Sequence, residues 1–458
     1  MPTFHRQSVI PCSAEELFQW HASPGAFTRL GPPWQSLEIR DKQGSIYDGD
    51  ILEFAIKDAP VPVIWRARHE DTIEGEQFCD VQEKGPFGSW RHVHRFIPQD
   101  EHTCVLDDSI EYTLPMHAIS GWADGLLVRG QLERMFDFRH ERTVQDITRH
   151  QTFKDKPRQT VAITGASGLV GSALTDFLTT GGHTVRPVVR SAPTSDNEIY
   201  WSPSKNEIDA QGFEGVDVVI HLAGASIAGK RWDDEYKRTI LNSRVQGTAL
   251  LARTLAQMKS PPHTLLSTSA VGFYGSERGD EILNEHSTSG TGFLAGVCRQ
   301  WEEAAQPAVD AGIRVVHPRF GLVLSGQGGL LEKMATPFKL GTGGKLSSGD
   351  HYMSWVALDD VLGALNFLMH SPDITGPVNV TAPDPVTNAT FTKVLGRVLS
   401  RPTVMTVPRF ALNAALGKEM AQETALASQR AVPECLMESG FEFFFPDLEQ
   451  TLRHLLGK

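Results

Sequence analysis

The chain has 458 residues and a formal net charge of −12, from 43 Lys and Arg against 55 Asp and Glu. That length exceeds one compact core and points to two or three domains, while the acidic balance argues against a general nucleic-acid or anionic-membrane binder, which needs a basic face. No run approaches the ~20 apolar residues of a membrane span and the N-terminus lacks a signal-peptide pattern; the scattered Cys12, Cys79, Cys104, Cys298 and Cys435 read as reduced thiols of a cytoplasmic protein.

Residues 1–150 form a first segment. Ser13 with Glu16 three residues later is a capping box that opens a short helix through Trp20. Alternating runs follow at Ile51–Ile56, Val63–Ala67, Phe78–Val81 and Trp90–Phe96, separated by turn residues, and predict a curved antiparallel sheet. His92 and His94 lie two apart on the last of these runs and share a face with Trp90 and Phe96. Two such imidazoles chelate zinc only with a third ligand and a structured second shell. No partner announces itself, so they are expected to be packed or cavity-lining, with no metal. Leu127, Val128, Leu132, Met135, Phe136 and Phe138 recur at helical spacing and predict a long closing helix. The polar stretch from Arg149 to Arg158 reads as a linker.

The next segment, 159–320, alternates strands and helices as a doubly wound parallel sheet does. Thr160–Thr164 is a short buried strand, and Gly165, Ser167, Gly168, Leu169, Val170 and Gly171 form the turn and helix start after it. Gly165 suits the tight turn, Gly168 a close approach of backbone to pyrophosphate, and Gly171 close packing of helix on strand. Such a turn aims backbone N–H groups and a helix dipole at an anion. The strand Thr184–Val189 ends in Arg190-Ser191 where NAD-preferring folds place a carboxylate; a guanidinium there suits a 2′-phosphate, so NADP is the expected cofactor rather than NAD, the alternative being a solvated Arg at a strand end. Val216–Ala225 is a further strand whose Leu222, Ala223 and Gly224 form a floor for the cofactor. Thr264–Ser269 brings hydroxyls to the same sheet edge, and Arg314–Arg319 is the following strand. In 321–458, the glycine runs Gly326–Gly329 and Gly341–Gly344 read as hinges for closure or as surface turns, Ala389–Leu399 reads as an amphipathic helix, and Asp359-Asp360 read as helix N-terminal residues that need no metal.

Two resemblances follow. The stretch from Gly85 to Phe96 and Tyr112–Pro115 resemble the START/polyketide-cyclase-like superfamily, which implies a helix-grip fold holding an apolar ligand between sheet and helix. Residues from Thr164 to Gly171, Leu222–Gly224, Ser267–Gly275 and Trp355–Asp360 resemble the extended short-chain dehydrogenase/reductases. Trp232, Asn242-Ser243-Arg244, Trp301-Glu302, Leu331–Gly341, Pro377–Pro383, Arg401-Pro402 and Ser439–Phe443 narrow this to an epimerase-like subfamily with a C-terminal extension. The second resemblance implies a Rossmann domain, a substrate cap over 321–458 and a small-molecule substrate, with Arg244 reaching the cofactor.

The chemistry of that family departs here. Its Tyr-x-x-x-Lys dyad depresses a phenol pKa beside a Lys ammonium, but the corresponding helix around Phe293–Glu303 carries Leu294 and Cys298 in those places. Ser269 and Tyr274 remain as weak catalytic candidates, Ser269 also as a cofactor contact. Tyr274 lacks an identified activating cation, and Arg319 or Lys339 is available to an anionic substrate. Three readings stay open: an NADP-dependent oxidoreductase or epimerase acting on a small, nucleotide-sugar-like molecule, a non-catalytic NADP sensor or scaffold, and a carrier of an apolar ligand in the first domain. Nothing in the sequence fixes an oligomeric state.

Overall fold

The computed structural model describes residues 1–57, 61–114 and 121–458, with the side chains of 121–127 left aside. The chain divides into two compact units, Met1–Pro157 with Asp176–Gly182 and Gly457, and Arg158–Thr175 with His183–Leu456 and Lys458.

The first unit is built on seven antiparallel strands: β1 (Thr3–Ile10), β2 (Leu37–Gln43), β3 (Ile51–Ile56), β4 (Val63–Ile73), β5 (Gln77–Lys84), β6 (Ser89–Pro98) and β7 (Cys104–Thr113). Their order is β1-β7-β6-β5-β4-β3-β2, so every neighbour except β1 follows its predecessor in the chain. Helix α1 (Ala14–Ala22) begins at the predicted capping box: Ser13 Oγ accepts from Glu16 N, and the Glu16 carboxylate accepts from Ser13 N. After α2 (Ala26–Arg29) and the strands comes α3 (Gly121–Gln151). Leu132 and Phe136 of α3 pack with Phe4, Trp90, Ile110 and Tyr112 of the sheet, which fixes the helix against one face. The helix also runs into the expected linker. Arg149 and His150 are buried in its last turn, where the Arg149 guanidinium suits the negative end of the helix dipole. Pro115 and the side chain of Leu127 lie outside the described residues.

The second unit carries the parallel sheet. Strands β8 (Thr160–Thr164), β9 (Thr184–Val189), β10 (Ile199–Ser202), β11 (Glu207–Ile208), β12 (Val218–His221), β13 (Thr264–Ser267), β14 (Ser269–Ala270), β15 (Arg314–Phe320) and β16 (Gly376–Val380) form nine strands. From β10 the order runs β9-β8-β12-β13-β15-β16, all parallel. This is a doubly wound order, with its crevice at the carboxyl ends of β8 and β12. The predicted strand 216–225 is shorter, because Leu222 and Ala223 turn away to donate to Thr164 Oγ1 at 3.1 and 3.2 Å instead of continuing the ladder. Helices α4 (Leu169–Thr180), α5 (Asp234–Ala256) and α6 (Phe293–Glu303) follow β8, β12 and β14. Val219, Leu251, Leu255, Ala308 and Val315 belong to the core of this unit.

Candidate functional site

Gly165 holds φ at 71°, the left-handed conformation the tight turn requires. A Cβ on Gly171 would come within 2.1 Å of Gly165 O and 2.8 Å of Ala166 Cα, so only glycine lets α4 pack onto the loop. Ser167 and Gly168 are exposed at the start of α4, and Leu169, Val170 and Gly171 head a twelve-residue helix whose first N–H groups have no intrahelical acceptor. The loop therefore offers an anion the donors that the sequence led us to expect. Gly328 and Gly329 approach from the C-terminal part of the unit: a Cβ there would lie 3.6 and 3.2 Å from the Leu169 side chain.

Two residues that the sequence reading passed over hold the floor of this crevice. Thr164 Oγ1 accepts from Leu222 N and Ala223 N and lies 2.7 Å from His221 Nδ1, while His221 Nε2 lies 2.9 Å from Thr248 Oγ1. Thr164, His221 and Thr248 are fully buried. Burial, aided by the positive charge of Arg244, pushes the His221 imidazole down to about 4, so it is neutral near pH 7. The one sign of them in the sequence was their position at the carboxyl ends of two apolar strands.

Arg244 on α5 is buried, with Nη1 donating to Ala225 O at 3.0 Å and Ile240 O at 3.2 Å. Its guanidinium lies 5.0 Å from the Trp301 ring and backs directly onto Gly224, where a Cβ would meet it at 3.1 Å. It neither faces solvent nor pairs with a carboxylate; it braces the Ala223–Ala225 floor. Arg190 and Ser191 are exposed just beyond β9.

The catalytic candidates part company. Ser269 is buried, and its hydroxyl makes no aligned hydrogen bond. Tyr274 is fully buried; its hydroxyl lies 2.9 Å from Asn284 O and 2.8 Å from Asn379 Oδ1 and accepts from Arg319 Nη1 at 3.1 Å. The cation missing from the sequence is thus Arg319, but burial outweighs it and the phenol pKa is raised. Arg319 is unsuited to hold a substrate anion: it makes a bidentate pair with Glu302 of α6, 2.8 Å at each contact, and is 3 % exposed. Lys339 is exposed.

On α6, Cys298 is buried and its thiol is pushed up to about 11, first by burial. The helix begins at Gly292, whose φ is 105°. Its first donors, Phe293 N and Leu294 N, bond to the Glu423 carboxylate at 2.8 and 2.7 Å. Asp360 accepts from Phe444 N and Phe445 N at 2.9 and 3.0 Å, which accounts for that carboxylate without a metal. His92 and His94 belong to the first unit, where both line a cavity.

Residues 161–380 match the family model described as the NAD dependent epimerase/dehydratase family, and residues 407–455 match a domain of unknown function, DUF1731. An epimerase family protein of Mycobacterium bovis is 44 % identical over 292 residues, covering 64 % of this chain and 96 % of that protein. One from Bacillus subtilis is 37 % identical over 301 residues, covering 65 % and 98 %. The crystal structure of a nucleoside-diphosphate sugar epimerase from Corynebacterium glutamicum superposes with a TM-score of 0.81 at 35 % identity, covering 99 % of this chain and 90 % of that one. A human epimerase family protein (isoform 2), crystallised with NADPH, gives 0.59 at 28 % identity, covering 65 % and 99 %.

Proposed function

Because the chain belongs to the NAD-dependent epimerase/dehydratase family, we propose that its second unit binds NADP(H) and transfers hydride to and from a small, nucleotide-sugar-like molecule without a Tyr-x-x-x-Lys dyad. The observation that carries this reading is the crevice at the ends of β8 and β12, where an open helix N-terminus, a glycine turn and a braced floor meet. Gly165, Ser167, Gly168, Leu169, Val170 and Gly171 hold the pyrophosphate. Arg190 and Ser191 take the 2′-phosphate, with no carboxylate there to repel it. Leu222, Ala223 and Gly224 lie beneath the cofactor, with Arg244 behind them. The bound cofactor supplies the hydride. Ser269, whose buried hydroxyl lies beside the Cys298 thiol, donates a hydrogen bond to the substrate oxygen, whereas the buried Tyr274 keeps the Arg319–Glu302 pair in register. The domains are 159–320 for the cofactor and 321–458 for the substrate cap.

For the first unit we propose a START/polyketide-cyclase-like helix-grip domain over residues 1–150 that holds an apolar ligand. The antiparallel sheet with α3 packed on it and a cavity of about 530 Å³ support this. The free thiols at Cys12, Cys79, Cys104, Cys298 and Cys435 favour a reducing, cytoplasmic setting, and among the described residues no helix is long and apolar enough to cross a membrane.

The test is NADPH oxidation over a panel of keto-sugar nucleotides and simple carbonyl compounds, in wild type, Ser269→Ala and Tyr274→Phe. Slow turnover that falls in Ser269→Ala is expected. Fast turnover untouched by either substitution would place the acid/base elsewhere.

A further inference from the structure

His92 and His94 stand side by side on β6 with their rings tilted at 46° to each other, centroids 3.8 Å apart. The register sets Asp80 of β5 opposite His92, and Asp108 of β7 opposite His94. Both imidazoles therefore lie between two carboxylates. On the β5 side, Asp80 Oδ2 is 3.0 Å from His92 Nδ1 and 3.4 Å from His94 Nε2. One ligand atom from each of the three residues lies within 4.8 Å of the others. A tetrahedral ion with bonds of ~2.0–2.1 Å keeps its donors about 3.3–3.4 Å apart, close to both Asp80 separations. We propose that Asp80, His92 and His94 bind a divalent first-row metal, Zn²⁺ or Fe²⁺, with its remaining coordination open toward the cavity of the first unit. Two histidines and one carboxylate are the donor set that both ions take when a position is left for a further ligand.

The surroundings are those of a metal site. The outer nitrogens of the two histidines face one carboxylate oxygen: Asp108 Oδ1 is 3.3 Å from His92 Nε2 and 2.7 Å from His94 Nδ1. The other oxygen of Asp108 is 2.9 Å from His140 Nε2 on α3. Ligating histidines commonly give their second N–H to a carboxylate, which sets the tautomer and turns the first nitrogen toward the ion. Trp90 Nε1 donates to Asp80 Oδ1 at 3.3 Å and so leaves Oδ2 for the metal. His92 Nε2, His94 Nδ1 and Asp108 Oδ1 are all buried at this junction. A dication drawing both rings toward Asp80 gives those contacts a purpose.

Asp80, His92 and His94 all line the 530 Å³ cavity, whose walls include Phe54, Trp65 and Phe87. Arg139 lines it as well, and its Nε is buried without a partner. The ligand that completes the coordination is therefore water, or a carboxylate or carbonyl oxygen on an otherwise apolar molecule, with Arg139 available to the same oxygen.

The full chain, stripped with a chelator, is titrated with Zn²⁺, Fe²⁺ or Co²⁺ under inert gas. One equivalent of tightly bound metal is expected, with visible ligand-field bands for the Co²⁺ form and only nitrogen and oxygen neighbours in X-ray absorption of the Zn²⁺ form. Metal content after purification without added metal tells zinc from iron. Asp80→Asn and His94→Gln should each weaken binding at least ~100-fold, and Asp108→Asn, which loses the carboxylate charge facing the outer nitrogens of both histidines, by roughly 10–100-fold, with circular dichroism confirming that each is folded. Failure of the wild type to take up an equivalent, or unchanged affinity in folded Asp80→Asn, overturns the proposal. If the variants do not fold, the wild-type spectrum decides. Sulfur scattering would assign the metal instead to the Glu70, Asp71 and Cys79 group and also overturn it.

Discussion

Replacing Thr164 with Val keeps the shape of a fully buried side chain and deletes one hydroxyl. That hydroxyl serves three groups: Leu222 N at 3.1 Å, Ala223 N at 3.2 Å and His221 Nδ1 at 2.7 Å. Leu222 N also reaches the Thr164 carbonyl at 3.2 Å and keeps a partner. Ala223 N and His221 Nδ1 do not. Leaving a buried polar group unmatched costs ~1–3 kcal/mol, so two of them predict a loss of about 2–6 kcal/mol. Because Ala223 lies in the crevice floor, NADPH affinity should fall too. The loss is read from the urea midpoint and slope, followed by tryptophan fluorescence, since Trp201 meets His221 edge-on at 5.7 Å. Thr164→Ser is the control, retaining the hydroxyl and losing the methyl. A loss under about 0.5 kcal/mol in Thr164→Val would refute the reasoning, because it would mean that no buried group had been left unmatched. A Thr164→Ser variant as unstable as Thr164→Val would trace the effect to packing.

Three further outcomes are expected. Arg190→Ala should cost NADPH ~1.5–3 kcal/mol, roughly tenfold to a hundredfold, and leave NADH little changed, as fluorescence titration of both cofactors will show. His221 is neutral in the folded chain with a pKa of about 4, below its ordinary 6.5, so the unfolded state binds more protons and stability drops as pH falls from 6.5 toward 4. At pH 5 its share of that loss is about 2 kcal/mol, and His221→Asn should flatten this part of the urea-midpoint profile. Tyr274→Phe should act on stability, by ~1–3 kcal/mol through the unmatched Arg319 and Asn379 groups; a variant of unchanged midpoint with a changed pH–rate profile would return Tyr274 to the chemistry.

What the sequence made legible is what is local. The glycine turn and the capping box at Ser13 each depend on residues within a few positions, and their backbone requirements can be read directly. Tyr274 illustrates the opposite case. Its environment is set by Arg319 and Asn379, 45 and 105 residues away, so neither its burial nor its cation had a signature near it. His92 and His94 fall between these cases. Their alternation along a strand was visible, but Asp80 and Asp108 become neighbours only through the register of two hairpins. The spacing of carboxylates on adjoining alternating runs was the one available clue. Arg244 was expected at the cofactor from its motif; its bonds to Ala225 O and Ile240 O, which join α5 to the turn after β12, are a setting that the short motif did not spell out.

The cap that Glu423 places on α6 bears on how the chain is made. Residues 293–303 leave the ribosome well before Glu423 does, and until then Phe293 N and Leu294 N lack the acceptor that ends up 2.8 and 2.7 Å away. The parallel pairing of Glu277–Leu283 with Ser428–Ala431 imposes the same delay. Nascent chains arrested short of this point should therefore carry a protease-sensitive α6, and the second unit should acquire its final order only once Glu423 has emerged. The segment that carries Glu423 works, in that sense, as a timing element: a message truncated before Glu423 yields a protein with its glycine turn intact and α6 uncapped.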